Sequence, residues 1–117
     1  EPIELARVLT NSAGGSEVVV VDCLTVWLGN LYHHFQDDKE KVRMQVEAFL
    51  DHLEHPLCDL ILVTNEVGWG IVPENPLARS FRDMAGYLNR RVAEKAAAAY
   101  LLCCGIPVAL KGGLSHG

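Results

Sequence analysis

Val18-Val19-Val20-Val21-Asp22 is the stretch from which the fold follows. Four consecutive β-branched residues favour a strand, and their continuity matters more than their propensity. A strand with one wet face alternates apolar and polar residues, whereas an unbroken run belongs to a strand covered on both faces, as in a parallel sheet. Leu60-Ile61-Leu62-Val63 has the same character. Between the two runs, Leu24, Trp27, Leu28, Leu31 and Phe35 recur at helical spacing and predict a helix from about Leu24 to Phe35. A second helix, about Lys39 to Leu53, places Val42, Val46, Phe49, Leu50 and Leu53 on one face. The charges of Asp37, Asp38, Lys39, Glu40 and Lys41 mark the exposed connection between them.

Strands alternating with helices predict an α/β domain with a mostly parallel sheet. Right-handed crossovers then bring the ends of Val18–Val21 and Leu60–Val63 to one rim, so Asp22 and Asn65-Glu66 are expected to share a crevice. The loop from Thr64 to Pro76 leaves that rim, rich in glycine, proline and polar residues. Asn75 can cap, and Pro76 can open, a long helix whose apolar stripe is Leu77, Phe81, Met84, Ala85, Leu88, Val92 and Ala96. Tyr100 to Cys104 reads as a third strand. Gly105-Ile106-Pro107 is expected to turn the chain into a fourth, antiparallel edge strand, Val108-Ala109-Leu110. Upstream, Pro2 to Leu9 reads as a short helix ended by the run Asn11-Ser12-Ala13-Gly14-Gly15-Ser16. One domain over residues 1–111 and a flexible tail over 112–117 complete the expected organisation.

Composition bounds the function. Half of the 117 residues are apolar and 21% are charged, ordinary for a soluble globular domain. A formal charge of -5 argues against nucleic acid or an anionic membrane as a partner. No apolar run approaches the roughly 20 residues of a membrane span. Glu1-Pro2-Ile3-Glu4 is unlike a secretory signal. Cys23, Cys58, Cys103 and Cys104 lack a C-x-x-C spacing and are expected to be small buried thiols in a reducing cytoplasm.

Few residues point to chemistry. An aspartate directly after an apolar strand, as at Asp22, can hold Mg²⁺ through water beside nucleotide phosphates, and equally can form a turn or cap a helix. Asn65 and Glu66, ending the next strand, could orient water, a substrate hydroxyl or Mg²⁺, or satisfy loop amides. Gly68 and Gly70 permit close approach of a ligand to the backbone. Trp69 is a loop anchor or a platform for a flat ligand. Gly68-x-Gly70-x-x-Pro73 fails the dinucleotide fingerprint at its third glycine. Arg79 and Arg82 could reach phosphate or form a solvated face. His52 and His55 are compatible with one helix face, but no partnering ligand set defines a metal site.

The blocks from Val20 to Leu31 and from Val63 to Arg91 together resemble the bifunctional adenosylcobinamide kinase/adenosylcobinamide-phosphate guanylyltransferase family of cobalamin biosynthesis, in order from about Glu1 to Lys111. The resemblance implies a P-loop NTPase fold of the RecA-like, three-layer kind, often trimeric. It implies phosphorylation of adenosylcobinamide by ATP or GTP, then transfer of GMP from GTP through a guanylylated histidine to give adenosylcobinamide-GDP. By matching position Asp22 would be the acidic residue of the Mg²⁺ and nucleotide site, and Glu1 a nucleotide contact. The Asn65-to-Arg82 block, with Gly68, Trp69, Gly70, Pro73, Glu74, Asn75, Arg79 and Arg82, would line the substrate cleft or a subunit boundary.

The family opens with a strand and a Gly-rich phosphate loop ending in Gly-Lys-Ser/Thr, and these residues contain neither. The loop's amides, lysine and hydroxyl are what cradle phosphate and Mg²⁺. The guanylylated histidine also lies upstream of the matching positions, so His33 and His34 do not take that role. The expectation is therefore the C-terminal two-thirds or so of such an enzyme, inactive alone. A non-catalytic, degenerate P-loop-like module binding through the Asn65–Asn75 loop is the alternative.

Overall fold

A computed structural model describes residues 18–55, 59–65 and 75–112. Its elements run β1 (Val18–Asp22), α1 (Leu24–His34), α2 (Lys39–Glu54), β2 (Asp59–Val63), α3 (Pro76–Lys95), β3 (Ala99–Cys103) and β4 (Ile106–Lys111). The mixed α/β class and the order of elements agree with the sequence reading. The helix expected over Pro2–Leu9 and the tail beyond Gly112 lie outside the described residues.

β1 and β2 pair in parallel, Val18 opposite Asp59 through Asp22 opposite Val63. The helices between and after them bury one continuous core. Leu24, Trp27, Leu28 and Leu31 of α1 and Val42, Val46, Phe49 and Leu50 of α2 are fully enclosed, with Ala85 and Leu88 of α3 against them. The Trp27 and Phe49 rings meet at 5.2 Å between centroids. Val19, Val21, Leu60 and Leu62 supply the sheet's side of this core.

Local chemistry ends each helix. Asp38 caps α2, its Oδ1 accepting from the amides of Glu40 and Lys41 at 3.1 and 3.3 Å. Asn75 caps α3 as expected, accepting from Leu77 and Ala78 at 2.8 and 3.3 Å, with Pro76 in the first turn. α1 closes in a Schellman arrangement. Gln36 adopts φ 53°, its amide donates to the His33 carbonyl, and the Asp37 amide donates to that of Tyr32.

Four expectations are corrected. The strands do not form one sheet: β1–β2 and the antiparallel β3–β4 hairpin are separate two-stranded sheets among the described residues. Among the described residues the parallel pair is covered on one face only, since Val20, Ile61 and Val63 are 59, 53 and 43% exposed. An unbroken apolar run records that both faces are oily, not that both are covered. The hairpin turns at Cys104-Gly105, with φ of 54° and 78°, so Ile106 and Pro107 belong to β4 rather than to the turn. Positive φ at both central positions matches the twist of a two-residue hairpin, and β4 tolerates Pro107 as an outer strand. Finally, Cys103 and Cys104 are exposed, because among the described residues no second layer covers the hairpin, and Cys23, just before α1, is half-buried. Cys58 lies outside the described residues.

Candidate functional site

The carboxyl ends of β1 and β2 form a single rim, as the crossover argument requires. Asp22 ends β1 opposite Val63, and Thr64-Asn65 continues beyond β2. Side chains alternate across a strand. Val19 and Val21 face the helices, so Val20 and Asp22 face the other way. Asp22 therefore presents an exposed carboxylate at the rim, on the uncovered side of the sheet.

The backbone at Asn65 is held from two directions. Its amide donates to Thr25 Oγ1 at 3.2 Å, and Thr25, in the first turn of α1, is almost completely buried. Thr25 Oγ1 also lies 3.0 Å from Cys23 Sγ. From the other side, Asn89 Nδ2 donates to the Asn65 carbonyl at 3.0 Å, while Asn89 Oδ1 accepts from Thr64 Oγ1 at 2.8 Å. The Asn65 side chain stays exposed. Thr25 and Asn89 were not singled out from sequence. Their signal was a polar residue set beside a helix's buried stripe, next to Leu24 and Leu88 respectively.

The start of α3 is elsewhere. From Asn89 back to Arg79 the helix rises about 15 Å. Asn75 and Arg79 are thus not brought to the Asp22–Asn65 rim, and the 44% exposure of Leu77 fits a first turn that overhangs the core. Tyr32 anchors this part of α3 instead, its hydroxyl donating to the Ser80 carbonyl at 3.2 Å and its ring meeting Phe81 edge-on at 5.7 Å. Arg79 lines a cavity of about 330 Å³ with Lys39, Arg43, Pro76, Ser80, Asp83 and Met84. Arg82 does not line it. Glu1, Glu66, Gly68, Trp69, Gly70, Pro73 and Glu74 lie outside the described residues.

No group of three or more His, Cys, Asp or Glu side chains able to hold a metal occurs among the described residues. No described helix is long and apolar enough to cross a membrane. The carboxyl of Glu54 is held below the ordinary carboxylate range, first by its hydrogen bond from Lys95 and then by that ammonium's charge.

Comparison with known proteins adds to this geometry. Residues 1–110 match the family described as cobinamide kinase / cobinamide phosphate guanyltransferase. The chain is 38% identical over 112 residues to the bifunctional adenosylcobalamin biosynthesis protein CobP of Pseudomonas aeruginosa, covering 96% of this chain and 64% of that one. It is 35% identical over 107 residues to CobU of Escherichia coli, a protein of the same description, covering 82% and 59%. A third relative, CobU of Salmonella typhimurium, is 32% identical over 118 residues, covering 92% and 65%. The chain thus spans about three-fifths of the length of these relatives.

Proposed function

The chain belongs to the cobinamide kinase / cobinamide phosphate guanyltransferase family, and from that premise we propose that it supplies the acidic rim of a P-loop-type, RecA-like nucleotide site in cobalamin biosynthesis. The complete enzyme would phosphorylate adenosylcobinamide with ATP or GTP. It would then transfer GMP from GTP to adenosylcobinamide phosphate, giving adenosylcobinamide-GDP. A cytoplasmic homotrimer is part of the same proposal.

The observation that carries this reading is the position of Asp22, exposed at the carboxyl end of a parallel strand and on its uncovered face. Ligands of open α/β sheets bind outside those strand ends. A polypeptide covering the bare face would arrive beside Asp22 and could bring the phosphate cradle there. One carboxylate without clustered partners among the described residues suits Mg²⁺, which commonly takes one or two carboxylates and completes its shell with water and substrate phosphates. When bound, the ion would neutralise charge on the phosphates. Asp22 would orient a water of its shell, and Asn65, stapled by Thr25 and Asn89, would position a hydroxyl or phosphate oxygen.

Alone, these 117 residues would have negligible activity, since they lack the Gly-Lys-Ser/Thr loop and the guanylylated histidine of the family. The test incubates the purified chain with adenosylcobinamide, GTP or ATP, and Mg²⁺, alone and joined to the family's phosphate-loop segment. The expected result is no phosphorylated cobinamide from the chain alone and turnover from the joined protein, lost again in Asp22→Asn. Turnover by the chain alone, or full activity of Asp22→Asn in the joined protein, would overturn the proposal.

A further inference from the structure

The last paired residues of the parallel sheet are Asp22 and Val63. Beyond them the two chains part: Cys23 is the N-cap of α1, while Thr64 and Asn65 run on past β2. The ladder thus stops short of Asn65, and another contact must set where that residue stands relative to Asp22. Thr64 turns its hydroxyl toward α3, donating to Asn89 Oδ1 at 2.8 Å. In extended backbone this leaves the Asn65 side chain on the opposite side, the one that Asp22 occupies.

Thr25 spans the parting. Its Oγ1 accepts from the Asn65 amide at 3.2 Å and lies 3.0 Å from Cys23 Sγ. Leu24, Trp27 and Leu28 on either side of it are fully enclosed, so the core holds the first turn of α1 against rotation and the hydroxyl with it. Packing alone does not call for a hydroxyl at this almost completely buried position. Valine fills the same space without the cost of burying a polar group.

We infer that Thr25 is a positioning residue of the rim: its hydroxyl fixes the exit of β2 against the exit of β1, and so sets the reach between the Asp22 carboxylate and the Asn65 side chain. The inference rests on the reading of that rim as a nucleotide site. Asp22 and Asn65 would there act on one phosphate-bearing substrate, and a misplacement of about 1 Å can cost roughly a hundredfold in rate. Thr25 touches no substrate and acts through the Asn65 backbone. Asn89 holds the same residue from α3, donating to its carbonyl at 3.0 Å, but that bond relates Asn65 to the helical layer and not to Asp22.

The test compares Thr25→Val, which keeps the shape, with Thr25→Ser, which keeps the hydroxyl. In the 117-residue chain, amide hydrogen exchange at Asn65 should quicken at least roughly tenfold in Thr25→Val and stay within about threefold in Thr25→Ser, with the Val21 and Leu28 amides unchanged in both. In the protein joined to the phosphate-loop segment, Thr25→Val should lower kcat by about ten- to a hundredfold with KM for the nucleotide within about twofold. Thr25→Ser should restore most of that kcat. Unchanged exchange at Asn65 in Thr25→Val would overturn the inference. So would equal losses in the two variants, or an unchanged kcat in Thr25→Val where Asp22→Asn abolishes turnover. A joined protein without turnover, or a fully active Asp22→Asn, removes the nucleotide reading itself, and the inference falls with it.

Discussion

The Asn89 side-chain amide donates to the Asn65 backbone carbonyl at 3.0 Å, tying the second half of α3, and not its first turn, to the rim of the parallel sheet. Asn89→Ala leaves both that carbonyl and the Thr64 hydroxyl without this partner. A loss of about 1–3 kcal/mol is expected in urea unfolding. In a catalytically complete protein the same change should lower turnover further than Leu88→Val does, because it also frees the Asn65 backbone.

Phe49 is fully enclosed and tilted at 60° against Trp27. Phe49→Ala should cost about 3–5 kcal/mol, through lost burial and a residual cavity. Phe49→Leu should cost clearly less, and thermal or urea denaturation ranks the two.

Tyr87 joins α2 to α3 by its ring and its hydroxyl separately. The guanidinium carbons of Arg43, Arg90 and Arg91 lie 4.9, 5.5 and 5.5 Å from the ring centroid. The hydroxyl donates to Glu47 and accepts from Arg91 Nη1, the latter at 2.7 Å. Tyr87→Phe keeps the ring and should cost about 1 kcal/mol. Tyr87→Leu should add roughly 0.5–1 kcal/mol by removing the stacked cations' partner.

The Glu54–Lys95 pair predicts a pH dependence with a definite sign. The folded carboxyl titrates below its ordinary value of 4.5, so the folded state favours the ionised form. Its contribution is complete above that value and fades as pH falls through the lowered one. Glu54→Gln should therefore unfold at lower denaturant than the parent at neutral pH. The two midpoints should converge in acid.

Much of this arrangement was legible in sequence because the deciding interactions are local. Asn75-Pro76 announces a helix start through its own side chain and ring. The stripes Leu24-Trp27-Leu28-Leu31 and Val42-Val46-Phe49-Leu50 announce their buried faces by period alone. The parallel direction of Val18–Asp22 and Asp59–Val63 follows from their connection through helices, although their register does not. What sequence did not disclose depends on contacts distant in the chain. The choice of Asn89 over Arg79 as the residue beside Asn65 is set by how far α3 slides across the core, which no local pattern encodes. The turn at Cys104-Gly105 was misplaced by one or two positions because Pro107 suggested a break, although an outer strand needs no amide there.

The half-covered sheet has a consequence for how this polypeptide must be made and kept. Among the described residues, Val20, Ile61 and Val63, with Leu102, Ile106 and Leu110 on the hairpin, offer oily ground and unpaired strand borders to the first surface that meets them. Proper seating of a covering segment and sticking between identical copies are rival reactions, and only the second accelerates with crowding of its own kind. Recovery after dilution from denaturant should therefore fall as the chain is made more concentrated, and Ile61→Lys should flatten that dependence.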